Sequence, residues 1–76
     1  MKVLFSRTPI FRMAQIRRRL LRGDLFTAET LARELEADAK TIHRDIDFMR
    51  EHLNYEISFN FEQRSYVGQP SVITTL

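Results

Sequence analysis

The chain contains no cysteine, which excludes a disulfide framework and any thiolate metal site. Glycine is scarce, with only two residues, so no glycine-rich loop is available to cradle phosphate. Long apolar runs are missing as well. Near the start only Val3, Leu4 and Phe5 are consecutive, too few for a signal-peptide core, and no stretch approaches a membrane span. A soluble, cytoplasmic protein with no membrane partner is therefore expected. Nor is one sign of charge in large excess. Twelve Lys and Arg against ten Asp and Glu give a formal net charge of +2, which by itself attracts nucleic acid only weakly.

What remains bounds the answer from the other side. Seventy-six residues suffice for one small domain, and a hydrophobic fraction of 43% supports a compact core. There is no internal repeat and no low-complexity tract. The triplet His43-Arg44-Asp45 resembles part of a kinase catalytic loop, but that loop needs an Asn five residues after its Asp, where Arg50 stands. A kinase also needs a far longer chain. No nucleophile–base pair is evident, so no enzyme activity is expected.

Local signals divide the chain cleanly. Thr8-Pro9 is a hydroxyl N-cap followed by proline at the first helical position. Ile10, Met13, Ile16, Leu20 and Leu21 then recur at helical spacing, and Gly23 is a C-terminal stop. On a helical wheel Arg12, Gln15, Arg18, Arg19 and Arg22 share the opposite face. Arg17 falls within the apolar stripe and is expected at its rim, reaching water or an acid such as Asp45 or Asp47. Residues 25–27, Leu-Phe-Thr, are compatible with one small strand. Thr27 is a second N-cap, followed by Leu31, Ala32 and Leu35 on one face. Ala37-Asp38-Ala39 breaks this pattern, and Asp38 is placed to cap a third helix with its carboxylate. In that helix Ile42, Ile46, Met49 and Leu53 form a core stripe, with Phe48 at its edge. After Asn54 the period becomes two. Tyr55, Ile57, Phe59 and Phe61 alternate with polar residues as a half-buried strand. Glu62-Gln63-Arg64 is a turn, Ser65-Tyr66-Val67 a return strand, and Gly68-Gln69-Pro70 its end. The domain expectation is an N-terminal arm over 1–8, a folded unit over 9–68, and over 69–76 the start of a linker to an absent C-terminal domain.

Helix, short strand, helix, tight turn, helix and hairpin is the order of a winged helix-turn-helix, an α+β, mainly α fold. The major groove of B-DNA, about 12 Å wide, admits one helix. Such a helix must bury one side to be held rigidly and offer donors on the other. Ile42, Ile46 and Met49 provide the anchor. Ala39, Lys40, Thr41, His43 and Arg44 cluster in the N-terminal half and lie mostly away from it. They are the candidate base-reading residues: Ala39 permits close approach, and Lys40, Thr41 and Arg44 supply donors for bases or phosphate. Thr27, Thr30, Gln63 and Arg64 are the candidate backbone contacts.

The segment Thr30–Leu53, "TLARELEADAKTIHRDIDFMREHL", followed by "ISFN" and "RSY", resembles the N-terminal winged helix-turn-helix of WYL-domain transcriptional regulators, which are related to the DeoR type. Leu31-Ala32, Lys40-Thr41-Ile42, Arg44-Asp45-Ile46, Met49-Arg50 and Leu53 fall on that family's pattern, and the resemblance covers roughly residues 10–68. It implies a DNA-binding transcriptional regulator whose reading helix begins near Asp38, and it makes a homodimer plausible in a full-length protein. Ala37 and Asp38 replace the usual Val and Ser. Ser65 replaces a wing glycine, and Phe61 stands where polar residues are common.

The arginines of the first helix are equally readable as a solvated face, with Arg19 and Arg22 the nearest to DNA. His43 and Asp47 lie one helical turn apart, but two mixed ligands make a weak metal signal. No metal and no cofactor are therefore expected. His52 belongs at the surface near a helix end, where its charge suits the dipole. Asp45, repelled by phosphate, should turn inward to an arginine. Phe59 and Tyr66 read as hairpin core, and Tyr55 as core or a phosphate donor. The rival function is a winged-helix module for protein–protein interaction or dimerisation without DNA. RNA binding is a third reading, disfavoured because the aromatics look buried rather than displayed on a sheet.

Overall fold

The computed structural model describes residues 8–70. Three helices, α1 (Pro9–Arg22), α2 (Ala28–Leu35) and α3 (Ala39–His52), precede an antiparallel hairpin of β1 (Tyr55–Asn60) and β2 (Ser65–Pro70). This is the winged-helix-like α+β arrangement expected from the sequence. All of the N-terminal arm but Thr8, and most of the proposed linker, lie outside the described residues.

The helix ends follow from their local chemistry. Thr8 accepts from the Phe11 amide at 3.2 Å, and Pro9 opens α1. Gly23 closes it at φ 74°: its N–H bonds to the Leu20 carbonyl and that of Asp24 to the Arg19 carbonyl. This paired cap favours a residue without Cβ strain. Thr27 and Thr30 form a reciprocal capping box at the start of α2. At α3 the backbone of Asp38 takes the N-cap position, but its carboxylate makes no capping hydrogen bond. The expected side-chain cap is therefore absent: the Asp38 carbonyl accepts from the Ile42 amide at 3.2 Å, but its carboxylate takes up none of the first-turn amides.

Ile16, Leu20, Phe26, Leu31, Leu35, Ile42, Ile46, Met49, Ile57 and Tyr66 form the core where the three helices meet the hairpin. The stripe on α1 is rotated from the one expected. Met13, Ile16 and Leu20 face inward, whereas Ile10 is 79% and Leu21 51% exposed. Arg12, four residues before fully buried Ile16, shares the inward face. Its Nε donates to Asp45 Oδ2 at 2.6 Å and its Nη2 to Asp45 Oδ1 at 3.2 Å. Asp45 does turn inward to an arginine, but that arginine is Arg12, and Arg17 stays exposed. Leu53 also leaves the core stripe. It follows the last helical residue, where the backbone has already departed from helical dihedrals, and is 44% exposed.

The hairpin register pairs Tyr55 with Pro70 and Asn60 with Ser65. Strand β2 is longer than read from sequence, because Gly68 and Gln69 pair across the sheet instead of ending it. A Cβ on Gly68 would lie 2.2 Å from the Glu56 carbonyl oxygen, so this close approach requires glycine. Phe61 falls in the turn between the strands and is 82% exposed, which removes it from the expected inward alternation. Residues 25–27 form no strand. In their place Phe26 contacts the hairpin singly: its carbonyl accepts from the Tyr66 amide at 3.0 Å, and its N–H donates to Ser65 Oγ at 2.8 Å. Ser65 thus supplies with a side chain the acceptor that a third strand would supply with its backbone.

Candidate nucleic-acid interface

Helix α3 is held along its length. Ile42, Ile46 and Met49 are buried, the Arg12–Asp45 pair fixes its α1 side, and Arg50 ties its far end to the hairpin. Arg50 Nε donates to the Ile57 carbonyl at 2.8 Å and Nη1 to Asp47 Oδ1 at 3.0 Å. The two acids of this helix beside its cations are thereby engaged: Asp45 with Arg12, Asp47 with Arg50. Lys40 and Arg44 are exposed and have no ion-pair partner among the described residues.

The other candidate reading residues are less open. Ala39 packs partly against the core, and Thr41 is half-buried. His43 is exposed, yet its Nδ1 lies 3.1 Å from the Tyr66 hydroxyl. That leaves Nε2 as the ring nitrogen without a described partner. Burial pushes the Tyr66 phenol above its ordinary value, with Arg50 pulling it down and Glu29 and Asp47 adding to the rise. The hydroxyl therefore stays protonated and can donate.

The candidate backbone contacts divide between α2 and the hairpin tip. Thr27 Oγ1 accepts from the Thr30 amide at 3.1 Å, and Thr30 Oγ1 accepts from the Thr27 amide at 2.9 Å. Both hydroxyl oxygens are thus occupied in capping. Gln63 and Arg64 sit at the exposed turn, where the Gln63 N–H donates to Asn60 Oδ1 at 2.9 Å and Arg64 adopts φ 54°. Arg64 has no ion-pair partner among the described residues.

Most of the cations of α1 that the sequence advertised are committed elsewhere. Arg12 pairs with Asp45, Arg19 with Glu34 on α2, and Arg22 with Asp24 at 3.5 Å. Arg17 and Arg18 remain exposed. Arg17 borders a shallow apolar groove of ≈ 490 Å³ between α1 and the end of α3, lined also by Ile10, Met13, Phe48 and Leu53. Phe48 packs there against His52, with ring centroids 4.8 Å apart and the planes tilted by 43°.

Arg12, Arg50, Ser65 and Tyr66 are the site-building residues that sequence reasoning did not assign. Arg50 carried one signal, an acid three residues earlier. The other three act across 33, 39 and 23 residues respectively, beyond any local pattern. Among the described residues no group of three or more His, Cys, Asp or Glu is gathered for a metal ion, and no helix is long and apolar enough to cross a membrane. Comparisons with protein-family models, with curated proteins and with solved structures find no match to this chain.

Proposed function

We propose that the protein binds double-stranded DNA sequence-specifically, as the DNA-binding domain of a transcriptional regulator, with α3 in the major groove and the hairpin as a wing. One observation carries the reading: α3 is pinned from both sides while Lys40 and Arg44 stay exposed, with no ion-pair partner among the described residues. A reading helix needs rigid anchorage and uncommitted donors together. Asp45 and Asp47, which would repel phosphate, are each neutralised by an arginine. In this reading Arg64, exposed at the hairpin turn, meets an adjacent phosphate or the minor groove. The resemblance to WYL-type regulators in the Thr30–Leu53 segment and the hairpin that follows supports the same role.

The test begins with selection of bound sequences from a random duplex pool. On a selected site Arg44→Ala should cost ~1–3 kcal/mol if the contact is bidentate to guanine. Lys40→Ala should weaken selected and random duplexes alike if that contact is to phosphate. Affinity should also fall steeply with rising salt as counterions are released. Unchanged affinity in both variants would remove α3 as the reading element.

A second reading rests on the apolar groove beside Ile10, Phe48 and Leu53. An exposed patch of this kind suits a docking surface for another protein. It predicts no shift of random duplex at low salt, the condition in which a DNA-binding domain gives its strongest non-specific signal.

A further inference from the structure

The contact between His43 and Tyr66 joins the reading helix to the wing. Tyr66 is the second residue of β2 and is buried. Its ring is wedged against Phe26 and Phe59, with centroid distances of 5.7 and 5.2 Å, and the Phe59 contact is edge-to-face. Its amide is held by the Phe26 carbonyl, and its carbonyl accepts from the Ser65 hydroxyl at 3.0 Å. Backbone and ring are therefore both fixed, and the phenol oxygen occupies a set position over α3. The imidazole of His43 meets that ring edge-on, centroids 6.4 Å apart.

A neutral imidazole carries one proton, and the hydrogen bond made by one nitrogen decides which nitrogen holds it. A phenol that donates to Nδ1 leaves the proton on Nε2. We propose that Tyr66 is a positioning residue that locks His43 in the Nε2–H tautomer, so that His43 presents a fixed hydrogen-bond donor on the outer side of α3. The acceptors such a donor fits are purine N7, guanine O6, thymine O4 or a phosphate oxygen. Cytosine N4–H₂, itself a donor, is disfavoured opposite it. The wing then contributes to base choice through the side chain it orients, beyond any contact made by its tip. This inference rests on the proposed DNA-binding function for its consequence, but not for the tautomer itself.

The experiment has two arms on the same protein. In the first, long-range ¹H–¹⁵N spectra of the imidazole side chains are recorded for wild type and for Tyr66→Phe, which keeps the ring and removes only the hydroxyl. The wild type should show His43 as the Nε2–H form, and the variant a mixture of tautomers. An Nδ1–H signal for His43 in the wild type overturns the proposal, as does a spectrum that Tyr66→Phe leaves unchanged. In the second arm, Tyr66→Phe, His43→Ala and the double variant are titrated on a selected duplex. Each single change should weaken binding about 3- to 10-fold, the range of one neutral hydrogen bond. The double change should weaken it no further than His43→Ala alone. Losses that multiply overturn the coupling. Failure of the wild type to bind any duplex overturns the DNA-binding function, while the first arm still decides the tautomer.

Discussion

Replacing Asp45 by leucine should destabilise the fold more than its one lost carboxylate suggests. The carboxylate receives two hydrogen bonds from the Arg12 guanidinium, and the two side chains are only 8% and 11% exposed. Removing Asp45 takes this carboxylate from the buried Arg12 guanidinium, and breaking a buried pair by deleting one member costs about 3–5 kcal/mol. A domain of this length has a total stability of roughly 4–11 kcal/mol, so the variant should sit near the edge of folding. Its melting temperature should fall by at least ~12 °C. The double variant Arg12→Met/Asp45→Leu removes both charges and replaces them with side chains of similar bulk. It should recover most of the loss, because desolvation of an ion pair offsets much of its attraction. Urea unfolding followed by far-ultraviolet circular dichroism measures both. A single-variant cost below ~1 kcal/mol would mean that the pair behaves as a solvated surface contact, and the argument that it pins α3 against α1 would collapse. If the double variant is stable yet binds a selected duplex poorly, the pair also sets the roll of α3.

Two further outcomes can be checked on the folded protein alone. Ser65→Ala leaves the buried Phe26 N–H without its acceptor, and calorimetry should show a loss of ~1–3 kcal/mol; a neutral result would mean that water or another group takes the place of the hydroxyl. The raised Tyr66 phenol makes the folded state hold its proton more tightly than the unfolded state does. Its contribution is therefore fully present below the ordinary tyrosine value of about 10 and is lost as pH rises through the folded value. Denaturation midpoints measured across this alkaline window should fall less steeply for Tyr66→Phe than for wild type, and parallel slopes would count against the assignment.

Elements with a single apolar stripe were legible in the sequence, and those with two were not. Helix α3 offers one inward series in Ile42, Ile46 and Met49, and the structure uses it. Helix α1 carries two overlapping series, one through Ile10 and Leu21 and one through Met13, Ile16 and Leu20. Periodicity scores both alike. The choice between them coincides with a contact outside the helix, Asp45, which draws Arg12 onto the inward face across 33 residues. The short strand at Leu25–Thr27 failed for a related reason. Its residue types suit a strand, but Phe26 meets the hairpin through only two hydrogen bonds, one of them to the Ser65 side chain. That substitution turns on the identity of a residue 39 positions away.

The same long-range pairing bears on which charges are available. The most conspicuous cationic feature of the sequence is the arginine run of α1, yet Arg12, Arg19 and Arg22 all end in ion pairs. Lys40 and Arg44 are inconspicuous in composition, but their two acidic neighbours on the helix are each taken by an arginine. A net charge of +2 conceals this sorting, because it counts committed and uncommitted cations equally. Binding to a polyanion depends on the uncommitted ones, which release counterions without first breaking a bond within the protein. Arg12 thus ties α1 to α3 and Arg19 ties α1 to α2, while Arg17, Arg18, Lys40, Arg44 and Arg64 stay exposed without an ion-pair partner among the described residues, the last three on α3 and at the hairpin turn that the proposed function assigns to the duplex.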